Sequence, residues 1–406
     1  MSRWNSSRSR TERNAALACV ILGLALVGSC QKRQDDPRKK VSPSAARAEV
    51  LAAVSQCMLS TYQAGHAAVL SLRDAAQAAK ADPTAEKRAA AETAWSSAME
   101  IWQQAEVMQI GPAASAALPG GKNLRDEIYS WPLTGRCLVE QQLVSKSYEA
   151  STFSTALVNL RGLDAAEYLL FYKADDNACA ANATINSGGT WAALGAAEIT
   201  ARKAAYAAVV ADDIVVSATK LLDAWEPAKG NFVAQLETAG RGSATWSTDL
   251  SAVNAVSDAL FYIEKQVKDM KLGRPLGLLE CASATCPEAL ESRYAHRSKQ
   301  HIRNNLVGFS KLFGGCDAAG EGKGLEDLLS ASGASDLAQR VANALSGAVA
   351  AVDAIEEDDL EEALAKDYAS VKALHEAIKV LTDLLKNELV IVLGVELPKP
   401  VEGDDD

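Results

Sequence analysis

The sequence predicts an all-α protein built as two related helical bundles in tandem, and three observations lead there. Alanine and leucine recur at helical spacing through long stretches such as AEVLAAVSQCMLSTYQAGHAAVLSL, LAQRVANALSGAVAAVDAI and YASVKALHEAIKVLTDLLKNELVIVL. The alternating β-branched runs that a half-buried strand would show are scarce. Residues also match at a fixed offset of 146 positions: Tyr148, Thr152, Asn159, Leu160, Gly162 and Leu163 against Tyr294, Ser298, Asn305, Leu306, Gly308 and Phe309. These readings place a first bundle at 45–220 and a second at 221–397, joined near 215–230.

The first residues read as an address. Arg3, Arg8, Arg10 and Arg13 precede an apolar run from Ala15 to Val27 that ends in VGSC. A charged start, a short apolar centre and small residues at the end describe a secretory signal over 1–29. The run is too short for a spanning helix, which needs about 20 residues. LVGSC resembles the bacterial lipobox, which makes Cys30 the acylated first residue of the mature chain and the membrane anchor. Gln31 in the next position favours the outer membrane by the same resemblance. Residues 30–44, charged and almost free of large apolar side chains, read as a tether. Residues 398–406 read as an acidic tail.

In the first bundle, PTAEKRAAAETAWSSAMEIWQQAEVMQIGP shows the helical signals clearly. Asp82 caps, Pro83 suits the first turn, and Gly111-Pro112 stops the run. Trp95, Met99, Trp102 and Glu106 share one stripe. A carboxylate on a buried stripe is costly unless it is paired, so Glu106 needs a cationic partner, an arginine or a metal ion.

The stretch NLRGLDAAEYLLF poses the same question twice. Asp164 and Glu167 lie three positions apart among leucines, alanines and a phenylalanine. Asp-x-x-Glu is the capping-box spacing, which suits a helix start after Gly162. If a helix instead already runs through Tyr148–Leu160, the two acids share a face in its interior and call for a cation. That cation is a metal ion, or Arg161 or another arginine. The offset of 146 places Ser310 and Phe313 opposite them, so the acids belong to the first half alone. Should Glu106 pack beside them, three carboxylates would converge, as in the metal sites of helical bundles. Such oxygens suit iron, calcium or magnesium better than zinc.

The remaining features exclude more than they assign. Removing residues 1–29, with four arginines and one glutamate, takes the net charge from −11 to about −14. A chain this acidic is repelled by nucleic acid. Beyond Cys19 and Cys30, six cysteines remain, and an even number in an oxidising envelope points to disulfides. Cys281–Cys286 and Cys137–Cys179 are the pairs expected. His66 and His375 stand singly in helical stretches and read as surface residues. His296 and His301, five apart, do not share a helical face, so at most one of them completes a site. No glycine-rich phosphate loop, His-Glu-x-x-His or Gly-x-Ser-x-Gly is present.

Taken in order, AWSSAMEIWQQAEVMQIGPA, IYSWPL, LRGLDAAEYLLF and ESRYAHRSKQHIRNNLVGFSKLF resemble the imelysin-like family, over roughly residues 45–395. The resemblance implies a bacterial envelope protein, often a lipoprotein, with two similar helical bundles around a central cleft. It further implies a link to iron uptake and an iron-transport partner, as in some members. The family is named for an insulin-cleaving peptidase activity that is not established across its members. Its Gly-x-His-x-x-Glu signature falls on Gly162, Asp164 and Glu167, with aspartate where histidine usually stands. Glu106 matches the acid of the helix ending in Gly-Pro, and Trp131 and Pro132 belong to the structural signature. Aspartate for histidine turns a borderline ligand into a hard one, away from zinc, and weakens the peptidase reading. Three readings stay open: a metal or metal-complex binding protein, a metallopeptidase with Glu167 as base, and an interaction lipoprotein without a ligand.

Overall fold

The long helices arise where the sequence puts its apolar stripes and its caps. The computed structural model describes residues 42–316 and 322–402. The signal peptide, Cys30, most of the tether and residues 403–406 lie outside the described residues. The first helix, α1 (Pro43–Ala81), begins inside the expected tether because Ser42 caps it, its hydroxyl accepting from the Ala45 amide, with proline in the first turn. After Asp82 the chain turns, and Thr84, not Asp82, caps α2 (Ala85–Ala105). Short helices α3 (Leu124–Ile128) and α4 (Arg136–Ser145) follow. Then come α5 (Gly162–Phe171), α6 (Thr184–Ser187), α7 (Gly195–Trp225), α8 (Phe232–Glu237) and α9 (Asp249–Leu260). A π-helical stretch, Ile263–Gly273, leads towards α10 (Ser298–Gly314). The chain ends with α11 (Leu325–Ala331), α12 (Ser335–Asp353), α13 (Leu360–Lys366), α14 (Tyr368–Leu384) and α15 (Val390–Leu393). No strand occurs among the described residues, and none of their helices is long and apolar enough to cross a membrane.

Helix α1 packs along α2 and α7, α5 lies against α7 and α2, α10 crosses α2, and α12 pairs with α14. Buried apolar side chains from Ala46 to Val401 form one cluster. The expected join near residue 220 falls within α7, which runs unbroken from Gly195 to Trp225. Three disulfides are present. Cys281–Cys286 closes a short loop, Cys137–Cys179 ties α4 to the segment after α5, and Cys57–Cys316 ties α1 to the end of α10.

The two segments matched at offset 146 have different backbones. Residues 147–160 form three short 3-10 turns, whereas Ser298–Gly314 is one continuous helix. The matched glycines therefore do different things. Gly162 opens α5 at φ +87, where a Cβ would sit 3.0 Å from the Ile128 carbonyl oxygen. Gly308 lies mid-helix, and a Cβ there would meet the Gln104 carbonyl oxygen at 2.4 Å. Helices α2 and α10 thus approach backbone to side-chain-free backbone. Gly308→Ala forces them apart and should cost about 2–3 kcal/mol, the upper range for overpacking. Urea unfolding checks this, and a loss under about 0.5 kcal/mol would show that the crossing yields easily.

Candidate functional site: a buried polar centre

Glu106, Asp164, Glu167 and His301 are buried in a polar centre to which the 125–134 segment contributes one hydrogen-bond donor after another. Arg125, in α3, grips Glu106: its Nε lies 3.1 and 3.0 Å from the two carboxylate oxygens, and its Nη2 lies 2.7 Å from Oε2. Tyr262 donates its hydroxyl to the same carboxylate at 3.1 Å. The partner demanded by the buried Glu106 carboxylate, just past the end of α2, is therefore an arginine. Four residues on, the Tyr129 hydroxyl donates to Glu291 at 2.7 Å. Ser130, at 3.3 Å, and Thr134 then donate to Asp164 from either side of the cis Trp131–Pro132 bond. The two hydroxyls that Asp164 accepts thus flank the tryptophan–proline signature.

Helix α5 begins at Gly162, so the continuous helix through Tyr148–Leu160 does not form. The reason is local. Lys146 adopts a left-handed conformation, and the Thr155 hydroxyl returns to the Thr152 carbonyl, which competes with helical bonding. Asp164 consequently lies in a first turn, where the helix dipole favours a negative charge, and its carboxylate accepts the Ala165 amide at 3.2 Å. Arg161, the neighbouring arginine, turns away and pairs with Glu127 and Asp213.

Glu167 is held from the far half of the chain. Its Oε1 accepts from the Ser292 hydroxyl at 3.1 Å and from the Tyr294 and Ala295 amides at 3.0 and 2.9 Å. Among the described residues, neither Asp164 nor Glu167 pairs with a lysine or arginine, although both are buried. Burial raises Asp164 to about 6 against the bond from Thr134, and raises Glu167 to about 8 against the amides of Ala295 and Tyr294.

Glu291, adjacent to the loop that binds Glu167, is the hub that motif reading missed. It accepts from Lys271 Nζ at 2.9 Å, Gln103 Nε2 at 2.9 Å and the Tyr129 hydroxyl at 2.7 Å, and it contacts His301 Nδ1 at 3.1 Å. Burial opposes its charge, but Lys271 and His301 outweigh burial and hold it well below the usual carboxylate range. Burial lowers Lys271, which also donates to Gln103 and Asn305 at 2.8 Å each. Burial lowers His301 too, and its Nε2 is enclosed without a hydrogen-bond partner. His296 is exposed and meets Asp359, while His66 bonds Thr219 at 2.9 Å. Tyr129 feels Glu291, Asp164 and Glu167 together, and Tyr262 feels Glu106 and Glu291, so the four acids belong to one centre.

Chemically, the centre contains four carboxyls and two strong bases. Arg125 and Lys271 satisfy Glu106 and Glu291, whereas Asp164 and Glu167 keep their oxygens on hydroxyls and amides. Glu106 therefore does not join the other two as a third free ligand. No group of three or more His, Cys, Asp or Glu side chains among the described residues is arranged to hold a metal ion. A resident ion with an all-protein ligand set does not fit this arrangement.

Comparison with known proteins agrees with the motifs. Iron-regulated protein A of Synechococcus elongatus is 24% identical over 264 residues, which span 64% of this chain and 62% of that protein. In fold, the chain resembles a Parabacteroides distasonis protein described as an iron-regulated protein A precursor, with TM-score 0.67 and 17% identity over 86% of this chain and 95% of the other. It likewise resembles an imelysin-like protein from Psychrobacter arcticum 273-4, with TM-score 0.65 and 18% identity over 87% and 98% of the two chains. The imelysin family model, peptidase M75, matches residues 58–387, and the chain belongs to the imelysin family.

Proposed function

We propose that this chain is an iron-related imelysin-family protein of the cell envelope, anchored through Cys30 in the outer membrane, that receives a metal ion or metal complex as cargo at Asp164 and Glu167. The observation that carries the reading is that these two buried acids have no basic partner among the described residues, while Glu106 and Glu291 beside them are fully paired. Two carboxyls cannot complete a coordination shell, so the cargo must bring most of its own donors or water. The name of the cyanobacterial relative supports the link to iron. An iron-transport partner in the envelope would be the recipient.

Metal analysis of protein purified without chelator tests the reading on wild type, Asp164→Ala, Glu167→Ala and the shape-preserving Glu167→Gln. Wild type should retain metal and each variant should lose at least half of it. Equal, negligible metal in all four would sink the proposal. The bidentate grip of Arg125 on Glu106 favours a second reading, an interaction lipoprotein whose acids are structural. A melting temperature unmoved by ferric or divalent ions would select it, because a ligand of the native state raises stability.

A further inference from the structure

A partly open cleft lies among α1, the start of α2, the end of α5 and α7, outside the set of acids described above. Of its eleven lining residues three are basic, Arg88, Lys203 and Lys173, the last already paired with Glu92 at 3.5 Å, and none is acidic. That composition is unexpected in a chain of net charge −11. Leu169 and Leu170 give it an apolar wall, and the Tyr172 side chain lies beside the bases.

We infer that this cleft binds an organic anion, a carboxylate carried on an apolar body, with the head on Lys203 and Arg88 and the tail along Leu169 and Leu170. Lys203 supplies the strongest argument. It is 5% exposed, yet it pairs with no carboxylate among the described residues. Its Nζ donates to the Tyr172 and Ala174 carbonyls at 2.8 and 3.0 Å and stands 4.9 Å from the Tyr172 ring centroid. Two of three ammonium donors are used, and a buried cation without a counter-charge is costly. The acids that act on it are taken: Arg136 holds Glu140 at 2.6 Å and Asp176 at 3.0 Å. Burial, with repulsion from Arg136 and Arg88, lowers Lys203 to about 8, as expected of an ammonium that lacks its anion. An incoming carboxylate would supply that missing charge, and the leucines would shelter its tail.

The test is calorimetric titration of the full chain with octanoate, 1-octanol and inorganic phosphate. Lys203→Met is a poor probe by itself, since Lys203 also closes two backbone carbonyls. Arg88→Glu is the better one: Arg88 is half-buried in the first turn of α2, where an acid suits the helix. Circular dichroism confirms its fold. Octanoate should bind at one site, with octanol and phosphate at least tenfold weaker, and Arg88→Glu should weaken octanoate at least tenfold. The inference is overturned if octanoate does not bind, if Arg88→Glu binds it equally well, or if octanol or phosphate matches it. These outcomes are independent of metal retention at Asp164 and Glu167.

Discussion

Replacing Glu291 by alanine should destabilise the protein by about 3–5 kcal/mol, the cost of leaving a buried ion without its partner. The substitution removes the acceptor for Lys271, Gln103 and Tyr129 at once, and the contact for His301. Lys271, 1% exposed, then keeps only the Gln103 and Asn305 side-chain oxygens and must lose its proton or admit water. Urea unfolding of Glu291→Ala and of the double variant Glu291→Leu with Lys271→Met separates charge from packing. The double variant should recover at least half of the loss, because apolar replacement of a buried pair is often close to neutral. A single-variant loss under about 1 kcal/mol would mean that water already reaches the hub.

How much of this could be read from the sequence depended on whether a signal was local. The helical class was legible because the stripes are long: Trp95, Met99 and Trp102 are buried on α2, and Glu106 is buried just past its end, in a 3-10 turn. Cap positions slipped by a residue or two: Asp82 is taken up as the last cap of α1, which leaves Thr84 to cap α2. The break at 147–160 was harder to see. Its serines and threonines offer hydroxyls to the backbone, a weak preference that the flanking Ala and Leu pattern hid.

In the polar centre the acids were legible and their partners were not. A carboxylate on an apolar stripe announces a need, but nothing nearby says which base meets it. Arg161 lay closest to Asp164 in sequence and went to Glu127 and Asp213 instead. Arg125, 19 positions after Glu106, met that acid, and Lys271 met Glu291 from a π-helical stretch. Glu291 itself stands in the ESRYAHRSKQH motif, whose histidines drew attention away from its acid. The cation-lined cleft was invisible for the same reason, since Arg88, Lys173 and Lys203 come from separate segments.

Asp164 and Glu167, which have no basic partner among the described residues, should write themselves into the pH dependence of stability. Glu167 moves from 4.5 to about 8 and Asp164 from 3.8 to about 6, in both cases because burial penalises the charged form. The folded state therefore holds these protons more tightly than the unfolded chain does. Their contribution is complete below about pH 4 and is lost as pH rises, first through 6 for Asp164 and then through 8 for Glu167. Shifts of this size correspond to about 5 kcal/mol for Glu167 and about 3 kcal/mol for Asp164 between the limits. Urea unfolding from pH 5 to 9 should show wild type losing several kcal/mol more than Glu167→Gln, whose amide keeps the shape and cannot ionise. Parallel curves for the two proteins would mean that Glu167 is already charged in the fold, stabilised by its two amides and Ser292. If the acids do titrate this way, a cation can seat only by displacing the proton. Cation uptake should then strengthen between pH 7 and 9 in wild type and stay flat over that range in Glu167→Gln, where Asp164 is already ionised, so Glu167 would set both the cost of the empty centre and the pH at which it fills.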